Sequence, residues 1–291
     1  MIAVLITTVF LASVYALVAL GLSLTWAGLG FLNLAHGVTY SAAAVGAYEA
    51  SVHIDGNAIV VLLAGIVCGA IVGLLIYLVV FLPLDGRRNF DLRTLIATLA
   101  IALIGENLIL DQFGPQPQAF PDLFDWLPTF SIGGTNVTTD QTGAVLAAIV
   151  LVSAFVALLS GSRIGLGVRA LTQNVEGARL VGIDRRTAAL AILVVSGALV
   201  GLAAVLLGPV YFVSYNNGLQ PMIKGLTVAM LGGLGSVRGT VVAAVIVAFV
   251  EAMTATYLGA DLVLVSLFLL IAIVLLVRPR GLAGILETTR A

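Results

Sequence analysis

The strongest constraint on the fold is a succession of long apolar runs separated by short polar segments. A helix that crosses a lipid bilayer needs about 20 consecutive apolar residues, whereas a membrane-spanning strand needs about 10 residues of alternating polarity. The runs have the helical length, so the sequence predicts an all-α, polytopic integral membrane protein. They lie at residues 4–26, 58–82, 94–110, 141–160, 188–212, 239–258 and 262–277.

The composition agrees with a protein that lies in a membrane. Hydrophobic residues make up 61% of the chain and charged residues 9%, too few polar groups to cover a soluble domain of this length. The net charge of −1 gives no electrostatic basis for binding nucleic acid. One cysteine and two histidines do not supply the ligands of a typical metal cluster, so we expect no metal site.

Glycine interrupts the apolar pattern in two places. GLGFLNLAHG at 28–37 separates the first run from a short apolar stretch at 38–50, and a second broken stretch lies at 225–236. As a helix, that second stretch would be about 18 Å long, short of a hydrocarbon core of about 30 Å. Irregular backbone is tolerated at membrane depth only where it is buried in protein or lines a cavity. We therefore expect eight or nine crossings, depending on whether 225–236 spans.

The two broken stretches resemble each other. GLSLTWAGLG at 21–30 parallels GLTVAMLGGLG at 225–235, and the segments that follow place Glu49 and Glu251 in register. Duplicated broken helices are typical of transporters whose pathway lies between the repeats; shared use of glycine and alanine is the alternative explanation. The sequence predicts one transmembrane domain, 1–291, with parallel repeat-like halves 4–160 and 188–277 joined by the loop 161–187.

Charge is distributed unevenly between the loops. Most arginines lie in 84–93, in 161–187 and in the C-terminal tail, whereas the connection 111–140 is acidic and has neither Lys nor Arg. Because basic residues are concentrated in cytoplasmic loops, we expect 111–140 and the N-terminus outside and the C-terminus in the cytoplasm. No basic residue precedes Arg87, so residues 4–26 are predicted to be a retained span and not a cleavable signal peptide.

Three glutamates lie within the apolar regions. Glu49, Glu106 and Glu251 each follow a basic or titratable residue by 13 positions, which places them about 20 Å along their helices. Either they reach the outer headgroups without a specific role, or they surround a pathway and meet a donor protein or a zwitterionic solute. His36 has a structural alternative too, and Lys224 is expected at the membrane interface. The pathway candidates are Asn33, His36, Glu49, Glu106, Gly233, Gly235 and Glu251.

The loop 161–187 is the longest stretch without an apolar run of membrane length, and it holds five arginines. Val168, Leu171, Val175 and Ala178 recur within it at helical spacing, which predicts a short amphipathic helix at the cytoplasmic edge of the membrane. The segment is either a tether that obeys the charge rule for cytoplasmic loops or a docking surface for a cytoplasmic partner.

The sequence lacks the motif that would let it bind ATP through a P-loop. That motif needs Gly directly before a lysine and Ser or Thr after it, whereas the only lysine, Lys224, lies between Ile223 and Gly225. No nucleophilic serine elbow or zinc signature occurs either, so we expect no catalytic residues. If transport is driven by ATP, another subunit must bind the nucleotide.

Four motifs, in matching order along nearly the whole chain, resemble the LivH-type permease of branched-chain amino acid ABC importers. They are NLAHG at 33–37, RALTQNVEGARLVGI at 169–183, GGLGSVRG at 232–239 and RPRGL at 278–282. The resemblance implies a helical permease in the bacterial inner membrane, paired with a second permease. It also implies two cytoplasmic ATP-binding subunits, an extracytoplasmic substrate-binding protein and no cofactor on this chain. The segment 161–187 would contact the ATPase, through Arg169, Gln173, Asn174, Glu176, Ala178, Arg179, Gly182 and Ile183.

Other functions remain open at this point. Permeases similar to this family import urea, short amides or small aromatic acids as well as amino acids. From a different class, an ion-coupled secondary transporter would also have repeats and membrane carboxylates, and a passive channel for a small neutral solute is a third possibility.

Overall fold

The computed structural model describes residues 1–132, 134–173, 175–180, 182–278 and 281–283. The α-helices in these ranges are α1 (Ile2–Leu29), α2 (His36–His53), α3 (Ala58–Ile76), α4 (Leu82–Leu84), α5 (Phe90–Phe113), α6 (Thr139–Gly161), α7 (Arg163–Gln173), α8 (Val175–Leu180), α9 (Arg185–Leu207), α10 (Leu219–Gly232), α11 (Val237–Tyr257) and α12 (Val263–Val277). A π-helical turn, Tyr77–Phe81, follows α3, and a 3₁₀ turn, Ala260–Leu262, precedes α12. A short hairpin pairs β1 (Phe130–Ile132) with β2 (Thr135–Val137).

The predicted helical membrane fold is confirmed. Among the described residues, seven helical segments are long and apolar enough to cross a bilayer: α1, α3 with its continuation to Leu84, α5, α6, α9, α11 and the segment 260–277. The remaining candidates are α2, which has 18 residues and is less apolar, and α10, which has 14. Their lengths correspond to about 27 Å and 21 Å of helix. The predicted crossing number therefore depends on α2 as well as on α10.

The core of the protein lies around α1, α9 and α11. At least half of the apolar window of each of these helices is buried, whereas only a small part of the windows of α5 and α12 is buried. With no hydrophobic effect to drive helix association inside a bilayer, buried faces there depend on close packing and interhelical hydrogen bonds. The architecture is thus an inner group of helices with α5 and α12 on its outside.

Glycines bring α3 and α9 into backbone contact. Gly69 faces Gly197, and Gly65 faces Gly201. A methyl group added at Gly69, Gly197 or Gly201 would overlap a backbone carbonyl group of the other helix. Small residues at four-residue spacing allow this approach, so these glycines pack within the chain.

The second broken stretch begins earlier than the sequence predicted. The sequence placed this stretch at 225–236, but α10 already begins at Leu219 and includes Lys224. The prediction was wrong because the charge of Lys224 is neutralised by a residue far away in the sequence. The apolar run 58–82 was expected to end before Pro83, but the helical segment continues through Pro83 to Leu84. The π-helical turn Tyr77–Phe81 lies immediately before this last helical segment.

The two helices that end at glycines lie side by side. Gly225 and Gly235 of the second stretch face Val18 and Ala27 of α1, so α1 and α10 run in the same direction. Gly30 (φ 75°) ends α1 and Gly233 (φ 93°) ends α10, in backbone conformations that residues with a Cβ rarely adopt.

Candidate functional site

A buried cluster of charged and polar side chains joins α1, α10 and α11. Lys224 Nζ donates to Glu251 Oε1 at 2.6 Å and to the Tyr15 hydroxyl at 3.1 Å, and that hydroxyl donates to Glu251 Oε2 at 2.9 Å. The Lys224 and Glu251 side chains are 10% and 7% exposed. The expected interfacial position of Lys224 is therefore wrong: the sole lysine is inside the protein, neutralised by a glutamate from another helix.

Further tyrosines lie around this charged cluster. The side chain of Tyr211, in the connection between α9 and α10, lies near Glu251 and Tyr15, and buried Tyr40 of α2 lies near both tyrosines. Tyr211 is 47% exposed. The cluster thus draws on both broken stretches and extends to the surface at Tyr211.

A cavity opens next to this exposed tyrosine. It has a volume of about 640 Å³, and its lining runs from the β1–β2 hairpin and the start of α6 to Pro209 and Val210, which directly precede Tyr211. Most of its lining residues are polar, among them Asp122, Asn136 and Gln141. The cavity therefore lies beside the chain segment that leads into Tyr211.

The three glutamates occupy different environments. Glu251 is buried in the cluster, Glu49 is about half exposed and pairs with His53 Nε2 at 3.2 Å, and Glu106 is partly exposed on α5. Of the three, only Glu251 lies in the Lys224 cluster. Whether all three surround one pathway stays a prediction.

Asn33 and His36 are buried in the first broken stretch. Asn33 Oδ1 accepts from the backbone N–H of Ala35, and His36 Nε2 lies 2.9 Å from Ser196 Oγ. Ser196 Oγ also lies 2.8 Å from the Gly21 carbonyl oxygen and 3.1 Å from the Thr25 hydroxyl. His36 thereby fastens the start of α2 to α9, and its Nδ1 has no hydrogen-bond partner among the described residues.

Residues near the C-terminus form hydrogen bonds with the second broken stretch. Backbone N–H groups of Leu282 and Ala283 donate to the carbonyls of Leu231 and Gly232, at 2.8 and 3.1 Å. These carbonyls belong to the last turn of α10 and have no partner within their own helix. Gly235 N–H donates to Ser23 Oγ at 2.9 Å, which ties the break to α1.

The segment 161–187 forms two short helices, α7 and α8, before α9 begins. Val168, Leu171 and Ala178 are buried, which confirms the predicted apolar face at these positions, and α7 packs on α1 and α9. Gly182 (φ 84°) follows α8, and Ile183 N–H donates to the Ala178 carbonyl at 3.0 Å. Asn174 and the side chains of Arg169, Gln173, Glu176 and Arg179 lie outside the described part of the structure.

A second ion pair fixes the start of α9. Arg185 Nη1 lies 2.5 Å from Asp85 Oδ1, and its guanidinium carbon lies 5.5 and 5.2 Å from the ring centroids of Phe81 and Phe90. The side chains of Arg185 and Asp85 are 18% and 10% exposed. Asp184, the preceding residue, caps α9, and the Thr187 hydroxyl together with two backbone N–H groups lowers the pKa of its carboxyl. This arrangement, the Arg185 joint, connects the end of the segment 161–187 to the π-helical turn after α3, to the loop that follows α4 and to the start of α5.

A family profile matches this chain from residue 4 to residue 277 and is described as "Branched-chain amino acid transport system / permease component". The chain belongs to this family. Its curated relatives include the high-affinity branched-chain amino acid transport system permease proteins LivH of Escherichia coli K12, 29% identical over 95% of this chain and 93% of the relative, and BraD of Pseudomonas aeruginosa, 29% identical over 94% and 92%. A probable branched-chain amino acid transport permease protein LivH of Methanocaldococcus jannaschii is 30% identical over 94% and 90%.

A solved structure supports the fold of this family member. The chain is similar to one in "PsaBC from Streptococcus pneumoniae in complex with Fab", with a TM-score of 0.52 and 12% identity over 96% of this chain and 91% of that one. At that identity the likeness concerns the fold alone. Together with the family match, it describes a multi-pass membrane protein that serves as the permease component of an ABC importer.

Sequence reasoning named Glu251 but missed most of its partners in this permease. It gave no role to Tyr15, Tyr211 or Ser196, because spacing along one helix does not indicate contacts with another. One signal was present: a single lysine in a chain this apolar, 27 residues before a membrane glutamate, requires a counter-charge.

Proposed function

We propose that this chain moves branched-chain or other small amino acids into the cell as one permease of an ABC importer. The observation that carries the proposal is the match along almost the full length of relatives whose names specify branched-chain amino acid transport. The chain would act with a second permease, two cytoplasmic ATP-binding subunits and an extracytoplasmic substrate-binding protein. ATP would be bound by the partners, and this chain would contribute no catalytic residue and hold no cofactor or metal.

The proposed orientation follows from the basic loops. The segment 161–187, with its five arginines, would face the cytoplasm with the C-terminus, and the acidic connection 111–140 would face outward with the N-terminus. In a bacterium the membrane would be the inner one. The polar cavity beside Tyr211 would then open on the side from which the binding protein delivers its solute.

The proposed pathway lies near the two broken stretches. Its candidate residues are Asn33, His36, Glu49, Glu106, Gly233, Gly235 and Glu251. The buried position of Glu251 beside Lys224 supports its inclusion, because charged groups inside membrane proteins are expensive to bury and mark functional sites by default. Burial of Asn33 and His36 at the first break supports a role in shaping that break.

The proposed ATPase contact is made by α7, α8 and the residues that follow. Its candidate residues are Arg169, Gln173, Asn174, Glu176, Ala178, Arg179, Gly182 and Ile183. Movement of this segment would be transmitted through α7, which packs on α1 and α9, and through the Arg185 joint. Alternating access would follow from displacement of the broken helices.

Reconstitution tests the proposal against its alternatives. Vesicles that contain both permeases and the ATPase pair should accumulate L-leucine against its gradient only with ATP and the binding protein. Uphill uptake driven by a proton or sodium gradient without ATP would contradict it and indicate a secondary transporter. ATP-dependent uptake of urea, amides or aromatic acids, but not of leucine, would reassign the solute within the family.

Side-chain removal in the coupling segment should separate ATP hydrolysis from transport. We expect the Gln173→Ala/Glu176→Ala variant to lower leucine uptake at least about tenfold, while retaining most ATP hydrolysis, because a loss of about 1.4 kcal/mol in coupling is a tenfold effect. Parallel ATPase and uptake assays in vesicles measure the ratio. The Arg87→Gln variant, changed in a different basic loop, serves as the control. Unchanged coupling in the double variant would contradict the docking role.

Loss of the carboxylate in the Arg185 joint should have a similar signature. In the Asp85→Asn variant the largely buried guanidinium of Arg185 keeps its two aromatic neighbours, Phe81 and Phe90, but loses its counter-charge. We expect this loss to destabilise the protein by about 1–3 kcal/mol. Uptake should fall more than ATP hydrolysis does. The Arg88→Gln variant, at an exposed arginine of the same loop, should match the native protein. Equal uptake by both variants would remove the joint from the coupling route.

A further inference from the structure

The Lys224–Glu251 pair is more polar than helix packing requires. Well-packed apolar side chains of similar volume can replace a buried ion pair without loss of stability, so a pair of opposite charges is not needed merely to hold α10 against α11. Inside a membrane protein, moreover, ionisable residues mark solute or ion pathways by default. The pair therefore calls for an explanation beyond packing.

The surroundings of the pair indicate a ligand site. Side chains from α1, α10 and α11 meet at the pair, where the Tyr15 phenol hydrogen-bonds to both charged groups. Tyr211 lies near Glu251, and Tyr40 of α2 lies near both tyrosines. The Lys224 ammonium already lies 5.5 Å from the Tyr15 ring centroid. Aromatic faces attract cations, and phenol hydroxyls can donate to a carboxylate. The same groups could therefore receive a bound ammonium and a bound carboxylate.

We propose that Lys224 and Glu251 form an intramembrane binding site for a zwitterionic α-amino acid. The solute's carboxylate would bind Lys224, and its ammonium would bind Glu251 with the tyrosines around it. This inference rests on the proposed function and adds a selective site within the permease to the selection made by the binding protein. In the described structure the two residues bind each other, which is the closed form of the site.

The exchange leaves every charge paired. Before binding, Lys224 neutralises Glu251; after binding, each of them faces the opposite charge of the zwitterion, and the net charge of the buried group is zero in both states. A solute with only an ammonium would leave Lys224 unpaired, and a solute with only a carboxylate would leave Glu251 unpaired. Because an unpaired buried charge is strongly unfavourable, the site should reject both.

Opening the pair requires α10 to move away from α11. The helix α10 is short and is flanked by Gly218 and Gly233. The N–H group of Gly218 donates to Ser41 Oγ. Short connections containing glycine can absorb such a change of backbone angles. The route to the pair leads past half-exposed Tyr211, next to Val210 in the wall of the polar cavity.

The first test measures which class of solute binds the native protein. The purified complex of both permeases and the ATPases, without the binding protein, is heated with L-leucine, with 4-methylvalerate, which lacks the ammonium, or with 3-methylbutylamine, which lacks the carboxylate. Leucine should raise the unfolding temperature, because a ligand that binds only the folded state stabilises it. The two analogues should produce less than about a quarter of that shift. No shift with leucine, or equal shifts with all three, would overturn the site.

The second test removes both charges together. The Lys224→Met/Glu251→Gln variant should assemble, lose the leucine-induced shift and import leucine at least about tenfold more slowly in vesicles, a change of about 1.4 kcal/mol. The matched control is Thr254→Val/Ser266→Ala, which deletes a hydrogen bond between α11 and α12 one turn from Glu251 and should stay within about twofold of native uptake. Native uptake by the charge-free variant would assign the pair to packing.

The outcomes separate the site from the proposed function. If the native importer transports neither leucine nor another small amino acid, the proposed function fails. If the native importer transports leucine and the charge-free variant does so equally well, only the binding site fails. Should the charge-free variant not assemble, the Tyr15→Phe variant replaces it: it keeps the ring, loses the hydroxyl that bridges the pair, and should shift leucine affinity, whereas an unchanged affinity would count against the site.

Discussion

The Glu251→Gln variant will be less stable than the native protein by about 3–5 kcal/mol, because it leaves Lys224 as a buried cation without a counter-charge. The carboxylate accepts from both Lys224 and Tyr15, so its neutral replacement also weakens the hydrogen bond from the phenol. The Lys224→Met variant should be affected similarly, since it leaves the carboxylate unpaired. Unfolding in mixed micelles at increasing denaturing detergent gives the difference in free energy.

Two further variants make this result specific. The combined Lys224→Met/Glu251→Gln variant should regain most of the stability lost by either single variant, as expected when both members of a buried pair are removed. The Glu49→Gln variant should lose no more than about 0.5 kcal/mol, because the Glu49–His53 pair is exposed. Additive losses in the double variant, or a large loss at Glu49, would refute the explanation by unpaired charge.

Enlarging either glycine of the α3–α9 contact is the second change with a large expected effect. The Gly69→Val and Gly197→Leu variants place side chains where the facing backbone carbonyl now lies, and flexible side chains cannot move aside to admit them. The two helices must separate, and the overpacking should destabilise the protein by about 3 kcal/mol or more. Because α9 also holds Ser196 and Arg185, its displacement would disturb both the first break and the Arg185 joint.

The yield of monodisperse protein in size-exclusion chromatography measures this effect. We expect both variants to give a small fraction of the native yield. The Gly56→Ala variant provides the control, since an added methyl there lies 3.8 Å from the nearest atom, in a turn where φ is not positive. Native yields from Gly69→Val would mean that α3 and α9 are farther apart than the structure has them.

The sequence predicted those features that depend on local physical chemistry. Hydrophobic length alone locates α3, α5, α9 and α11, because a bilayer sets the length of its helices. The apolar face of α7 follows from the spacing of Val168 and Leu171, and both are buried. The family motifs extended these inferences to function, and the family match along residues 4–277 confirms the assignment.

What escaped prediction depends on contacts between distant parts of the chain. Lys224 interrupts an apolar pattern, so the sequence predicts a start for α10 that is six residues too late; its neutralising partner, Glu251, comes from a different helix. Asp85 and Arg185 are 100 residues apart, and no periodicity connects them. The hydrogen bond between Ser196 and His36 depends on how α1, α2 and α9 meet. Such pairings follow from three-dimensional packing, and of these only the lone lysine beside a membrane glutamate left a signal in the sequence.

The bonds from Leu282 and Ala283 to the last turn of α10 have a consequence for biosynthesis. Membrane helices enter the bilayer in order as the ribosome makes them, yet two carbonyls in the last turn of α10 accept from the backbone N–H groups of residues 282 and 283. Until those residues emerge, these two acceptors lack the donors that they have in the finished protein. Completion of the permease body is therefore a post-translational event, and a nascent chain stalled after α12 would present an unfinished α10 to quality-control proteases.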